Sequence, residues 1–276
     1  MSLAAGDSAA EILLVGCGKM GGAMLQGWLE RGSARHFVIV DPGPGAAGFA
    51  GRSDVTVLRD GTELAPDLRP TVVVLAVKPQ MMNDAIRHYG RFAASGAVFL
   101  SIAAGKTLAY FARHLGADAS IVRAMPNTPA AVGRGITVAC PNPRVSAVQI
   151  ALCDRLLAAV GEVGWVDDES LIDAVTGVSG SGPAYVFLLI ECLAKAGVSA
   201  GLSEELAMRL ARATVCGAGE LARLSGESAA VLRQNVTSPA GTTLAALNVL
   251  MAADGLEPLM TRAVAAATAR SRELAE

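Results

Sequence analysis

Apolar residues along this chain come in two textures. In the first half they form short unbroken runs that stop at glycine, proline or an acid. Ile12–Val15, His36–Val40, Val55–Leu58, Thr71–Val77, Val98–Ile102, Ile121–Ala124 and Ile136–Ala139 each read as a strand. Runs that do not alternate with polar residues mark strands covered on both faces, and helical segments stand between them. The first such segment runs from Met20 to Arg31 and closes at Gly32. The pattern predicts a mainly parallel sheet with helices on both sides.

Beyond Asp167 no strand-like run remains. Pro183–Ala196, Glu204–Leu224 and Leu256–Leu274 all predict helices. In the second, Ser203 is the expected N-cap, with Glu204 and Glu205 in the electropositive first turn. Its polar positions (Glu205, Arg209, Arg212, Glu220 and Arg223) join with Cys216 into one narrow stripe. A helix apolar around most of its girth is buried on several sides, in its own core or against a second subunit. The subunit interface is preferred, because so small a region has little core of its own.

Composition narrows the partners. Hydrophobic residues are 52% and aromatics only 4% of 276 residues, so the core is aliphatic. The formal charge of -2, with no basic block, argues against nucleic acid or an anionic membrane. Mean hydropathy of +0.44 raises the question of a membrane span. The longest candidate, "PAYVFLLIECLAKAG", meets Glu191 and Lys195 too soon to cross a bilayer. The first residues lack the basic start and apolar core of a secretion signal and read as a loose tail. Five dispersed cysteines without a CxxC or Cys/His cluster predict reduced thiols, no metal site and a cytoplasmic protein.

The first chemical motif is Gly16-x-Gly18-x-x-Gly21, in "LLVGCGKMGGAM". It follows a strand and opens a helix, with Lys19 and Met20 in the first turn. That is the context a dinucleotide fingerprint requires: a tight turn, close approach of a pyrophosphate, and close packing of helix on strand. Asp41 ends the second strand, twenty residues past Gly21, where an acid meets the adenosine ribose. A carboxylate there repels a 2′-phosphate, which leans towards NADH over NADPH. The opposing reading has Asp41 capping its own Asp41-Pro42 turn, with Arg52 or Arg59 left to meet a phosphate.

Three further loops end predicted strands: Ala76-Val77-Lys78-Pro79, Ser101–Gly105 and "AMPNTP" (Ala124–Pro129). Ligands of open α/β sheets bind at that edge. Lys78, Asn127 and Thr128 are the polar groups these loops offer. The expected architecture is therefore α/β: an N-terminal Rossmann-type doubly wound sheet plus a C-terminal all-helical dimerisation domain. The expected limits are a loose tail over 1–10, the dinucleotide-binding domain over 11–166, and a helical substrate-binding and oligomerisation domain over 167–276.

In the helical half, "GVSGSGPAYVF" (Gly177–Phe187) places Pro183 in a first helical turn. Tyr185 there reads as a packed residue rather than a proton donor. "VTSPAGTTLAAL" (Val236–Leu247) sets four hydroxyls (Thr237, Ser238, Thr242, Thr243) around a small-residue turn at a predicted helix start. Free amides beside hydroxyls bind a small carboxylate without fixed positive charge. Self-capping of the same helix is the competing reading.

Reduction of a ketone calls for a nearby proton donor. His36, His88 and His114 lie outside every motif, and Lys195 is the only lysine of the helical half. A C=N substrate relaxes the demand, because its nitrogen arrives already protonated from water. The residues thus lean towards reduction of an imine that carries a carboxylate.

"VGCGKMG", "AVKP", "SIAAG", "RAMPNTP", "GVSGSGPAYVF" and "VTSPAGTT" occur in an order that resembles the pyrroline-5-carboxylate reductases. The resemblance covers the chain after the tail. It implies reduction of 1-pyrroline-5-carboxylate, a cyclic imino acid, to L-proline with NADPH or NADH. It also implies a homodimer through the helical domain, with dimers assembling into rings. On matching positions it implies a substrate loop of Asn235, Val236, Ser238, Gly241, Thr242 and Thr243. Thr243 would hydrogen-bond the ring nitrogen, and Ser238 with the amides of Thr242 and Thr243 would cradle the carboxylate. Ala240 stands where many relatives have glycine, and Asp41 where relatives have Ser or Thr. The competing readings are a β-hydroxyacid dehydrogenase or ketoacid reductase and a non-enzymatic NAD-sensing protein.

Overall fold

The computed structural model describes residues 11–275. The tail expected over 1–10 lies outside them. Eight strands form one sheet: Glu11–Val15 (β1), His36–Val40 (β2), Val55–Leu58 (β3), Val72–Leu75 (β4), Val98–Ser101 (β5), Ser120–Met125 (β6), Gly135–Pro141 (β7) and Gly161–Trp165 (β8). Their order is β3-β2-β1-β4-β5-β6-β7-β8. Strands β1 to β6 run parallel; β7 is antiparallel to β6, and β8 is parallel to β7. The helices are Lys19–Arg31 (α1), Met82–Ala85 (α2), Arg91–Ala94 (α3), Leu108–Leu115 (α4), Ala147–Ala158 (α5), Leu171–Val175 (α6), Gly182–Ser199 (α7), Glu204–Leu224 (α8), Ala229–Asn235 (α9), Thr242–Leu250 (α10) and Leu256–Glu273 (α11).

Unbroken apolar strands are the signature of a sheet with two dry faces. On one face Ile12, Leu14, Val72, Val74, Leu100 and Val122 pack with α1 and α5. On the other, Leu13, Val15, Val73, Leu75, Phe99 and Ile121 pack with Met82, Phe92, Tyr110 and Phe111. Trp28 of α1 is fully buried; its ring stacks on Phe37 of β2 and its Nε1 donates to Leu156 O of α5 at 2.8 Å. Gly32 closes α1 in the left-handed region (φ 61°), the conformation glycine adopts without a Cβ penalty.

The chain forms two compact units, one running up to Gly180 and resuming at Ala267, the other Ser181–Ala266. By contacts, the residues after the expected limit at 166/167 as far as Gly180, and the C-terminal end from Ala267, group with the sheet unit. Side-chain bonds explain both. Glu169 accepts from Arg123 Nη1 and from Leu108 N, each at 2.8 Å. Ile172 packs on Met125 and Cys140, and Ser271 Oγ donates to the buried Asp173 at 2.7 Å.

In the helical unit α7 packs on α8 through small residues. Ala194, Ala207 and Ala211 are its buried apolar side chains among the described residues, and Gly197 stands close enough to Ala207 that a Cβ would sit 3.2 Å from it. Ser203 caps α8 as the sequence predicts, accepting from Leu206 N. Large side chains such as Phe187, Leu188, Leu210, Leu221 and Leu224 are exposed. The apolar stretch judged too short to span a bilayer is longer in the structure. Helix continues from Leu171 to Ser199, 29 residues that contain an 18-residue window of mean hydropathy 1.3, which is enough to cross a membrane by length and composition alone.

Candidate functional site

The sheet order reverses between β1 and β4, and ligands of open α/β sheets bind at such a switch point. The three glycines there have separable duties. Gly16 is left-handed (φ 92°), and a Cβ on it would lie 2.8 Å from Ala76 O and 2.9 Å from Val77 N. Its missing side chain lets the glycine-rich turn touch the Ala76–Pro79 turn. Gly21 plays the same part inside α1, where a Cβ would fall 2.2 Å from Gly16 O. Gly18 differs: a Cβ on it would meet nothing within 4 Å. Packing does not require that glycine, and the open space lies at the N-terminus of α1, which no side chain caps. An uncapped thirteen-residue helix with open space at its N-terminus fits a dinucleotide pyrophosphate. Lys19 is exposed in the first turn, while Met20 is half-buried against the core.

Asp41 ends β2 as expected, but its carboxylate is committed to backbone. Oδ1 accepts from Gly43 N at 2.7 Å, and Oδ2 accepts from Cys17 N inside the glycine-rich turn. The turn-capping alternative is thus realised. Each oxygen retains a second lone pair, so a ribose hydroxyl still finds an acceptor. Arg52 makes two bonds to Asp54, at 2.9 and 2.8 Å. Burial, with the Asp41 charge adding to it, pushes the Cys17 thiol up to about 11, which keeps it protonated.

Lys78 is exposed at the end of the Ala76–Pro79 turn and has no ion-pair partner among the described residues. The Ser101–Gly105 loop is pinned from below. Ser101 Oγ accepts from Ala103 N at 3.2 Å, and Gly105 (φ 74°) would place a Cβ 2.6 Å from Leu274 O. The Asn127 side chain, one of the polar groups expected at this edge, is engaged by protein. It is buried; its Oδ1 accepts from Ile136 N at 2.9 Å, and its Nδ2 donates to Ser179 O at 3.1 Å. Ser179 belongs to a π-helical turn, Thr176–Gly180.

Arg123 is a supporting residue that the sequence analysis passed over. It lies in β6, is 3% exposed, and pairs with Glu169. Its Nε and Nη2 have no partner among the described residues. The signal was visible: one arginine inside an apolar strand must be matched by an acid. Among the described residues no cluster of His, Cys, Asp and Glu is arranged to hold a metal.

In the helical unit the loop expected to hold substrate links α9 to α10. Ala240 is left-handed (φ 56°), the only such non-glycine residue described. Gly241 N-caps α10 and would place a Cβ 2.3 Å from Ser238 Oγ, so only glycine fits beside that hydroxyl. No side chain caps α10, and the self-capping alternative is not what the loop does. The first-turn amides of Thr242 and Thr243 stay open beside the exposed hydroxyls of Ser238 and Thr242 and the half-buried Thr243. Asn235 donates to Glu227 at 3.1 Å, Thr237 donates to Arg233 O at 2.7 Å, and Val236 is exposed.

The doubly wound sheet, the open pyrophosphate cradle and the polar small-residue loops define a nicotinamide-dependent oxidoreductase. Residues 11–105 match the family model for coenzyme F420-dependent NADP oxidoreductases, and residues 169–274 that for pyrroline-5-carboxylate reductase dimerisation. The chain is 41% identical over 271 residues to the pyrroline-5-carboxylate reductase of Pseudomonas aeruginosa, across 98% of both chains. The solved pyrroline-5-carboxylate reductase of Coxiella burnetii superposes with a TM-score of 0.90 at 34% identity, over 98% of this chain and 100% of that one. The Plasmodium falciparum enzyme, crystallised with NADP bound, gives 0.81 at 27% identity over 98% and 100%. The chain belongs to the pyrroline-5-carboxylate reductase family.

Proposed function

We propose that this protein reduces 1-pyrroline-5-carboxylate to L-proline with hydride from a nicotinamide cofactor, NADH in preference to NADPH. The observation that carries the reading is the start of α10: open amides, four hydroxyls and no charged side chain from Val236 to Leu250. Ser238 and the amides of Thr242 and Thr243 hold the substrate carboxylate, and Gly241 keeps the turn tight against Ser238. Thr243 Oγ accepts from the protonated ring nitrogen. A nicotinamide bound at the cradle would supply hydride to the C=N carbon (C2 of the pyrroline, C5 of the proline formed); the C=N π electrons settle on nitrogen, and the proton already there remains in the product amine. No histidine lies in Ser181–Ala266, and Lys195 is its one lysine, which suits a substrate that brings its own proton. Catalysis then rests on positioning and desolvation.

Gly16, Gly18, Lys19, Met20 and Gly21 shape the pyrophosphate cradle, and Ala76, Val77, Lys78 and Pro79 support the nicotinamide half. The carboxylate at the end of β2 and the engagement of Arg52 with Asp54 support the NADH preference. The exposed apolar surface of α7 and α8 supports a homodimer through the helical unit, and rings of such dimers would be built on it. Free cysteines throughout, three of them buried, suit the reducing cytoplasm.

Parallel assays of NADH and NADPH oxidation with pyrroline-5-carboxylate and with a panel of keto acids test the reading. Turnover with the imine alone, faster with NADH, is expected. Turnover with keto acids and none with the imine would move the chain to the ketoacid reductases.

A further inference from the structure

Asn127 stands at the cofactor edge of the sheet, yet both ends of its carboxamide are spent on protein. The reason is local chemistry. In a continuous α-helix the carbonyl of Ser179 would accept from the amide four residues on. That residue is Pro183, which has no N–H. The helix opens into the π turn Thr176–Gly180 at this point, and Asn127 Nδ2 takes the freed carbonyl at 3.1 Å. The same side chain holds the start of β7 through Ile136 N at 2.9 Å. The Asn127 carbonyl begins the next turn by accepting from Ala130 N at 3.1 Å. One buried residue thus ties the loop after β6 to β7 and to the π turn.

We propose that Asn127 is a positioning residue for hydride transfer: it fixes the loop beneath the nicotinamide by holding Ser179 O and Ile136 N, without itself contacting the cofactor. The proposal rests on the reductase reading above and assigns a duty to a residue that reading leaves out. The loop follows β6 on the edge that also carries the turns after β1, β4 and β5. A nicotinamide reaching from the β1/β4 crevice towards β6 would rest on it. Loss of the tie lets the loop shift, and a misplacement of about 1 Å costs roughly 100-fold in hydride transfer.

Two variants test this. Asn127→Ala removes both bonds; kcat is expected to fall roughly 10- to 100-fold while the dissociation constant for NADH stays within about threefold, a change smaller than one lost hydrogen bond to the cofactor would make. Asn127→Asp keeps the acceptor for Ile136 N but sets a carboxylate oxygen against Ser179 O. Burial and the facing carbonyl raise the pKa of that new carboxyl, and once protonated it donates to Ser179 O as the amide did. Its kcat relative to wild type should therefore climb as pH falls from about 8 towards 5.5, while that of Asn127→Ala stays flat. If Asn127→Ala does not fold, the pH series on Asn127→Asp decides alone.

Melting temperatures are read on all three proteins. Lower melting with unchanged kcat, or a flat pH ratio for Asn127→Asp, overturns the proposal. So does weakened NADH binding with kcat preserved, which would make Asn127 a direct cofactor ligand. Wild-type turnover of pyrroline-5-carboxylate reports separately on the functional reading, and the variant-to-wild-type ratio holds for any imine the wild type reduces.

Discussion

Asp41 was placed correctly by counting residues, yet its bonds were not legible. Spacing locates an acid at the end of a strand; it does not say which amides will reach the carboxylate. In the structure Gly43 N and Cys17 N both do, so Asp41 shapes the glycine-rich turn. This gives Asp41→Ser two separable effects. Removing the negative charge relieves repulsion of a 2′-phosphate, so kcat/KM for NADPH relative to NADH should rise by roughly tenfold or more. Loss of one backbone bond should weaken both cofactors alike. Equal cofactor ratios in variant and wild type would remove Asp41 from cofactor choice. Ala240 makes a similar point about what sequence leaves out. Its substitution for glycine was readable, but its left-handed backbone was not, and that conformation costs an alanine about 1–2 kcal/mol. The loop keeps its shape against that cost.

At the scale of elements, the parallel strands were easy to read because two buried faces leave unbroken apolar runs. Their ends shifted where a close contact intervened: the run expected over Thr71–Val77 stops at Leu75, where the chain turns over Gly16. Strand β8 was missed. It contains Gly161 and Gly164, and none of its residues is fully buried, so it carries little apolar signal. What holds it is a glycine pair: Gly161 opposes Gly135 in the ladder, and a Cβ on Gly161 would fall 1.9 Å from Gly135 O. Helix α9 and the π turn were equally invisible. The turn arises because Pro183 removes a donor, and only the fold shows that Asn127 replaces it. Nor could local pattern show that the end of α11 returns to the sheet unit, since the Asp173–Ser271 bond spans most of the helical half.

For the whole molecule, the alanine-rich composition and the apolar girth of α8 foretold a helical unit too small to bury its own surface. The structure agrees: Phe187, Leu188, Leu221 and Leu224 are each more than half exposed. Burying a large apolar side chain contributes about 1.5–3 kcal/mol, so several such residues meeting a second copy suffice for a stable dimer. Sedimentation analysis at micromolar concentration should show a dimer or a multiple of it. A persistent monomer would contradict the assignment of this surface to a second copy and reopen the question raised by the 29-residue apolar helix.

The central claim is that an uncharged loop of amides and alcohols holds a small imino acid whose nitrogen needs no dedicated proton donor. Its most direct measurement is the turnover of pyrroline-5-carboxylate by wild type and Thr243→Ala, with NADH affinity determined on both. A hydrogen bond to a charged group contributes about 1.5–3 kcal/mol, so kcat/KM should fall roughly 10- to 100-fold while NADH binds unchanged. Undiminished turnover in Thr243→Ala would contradict the account.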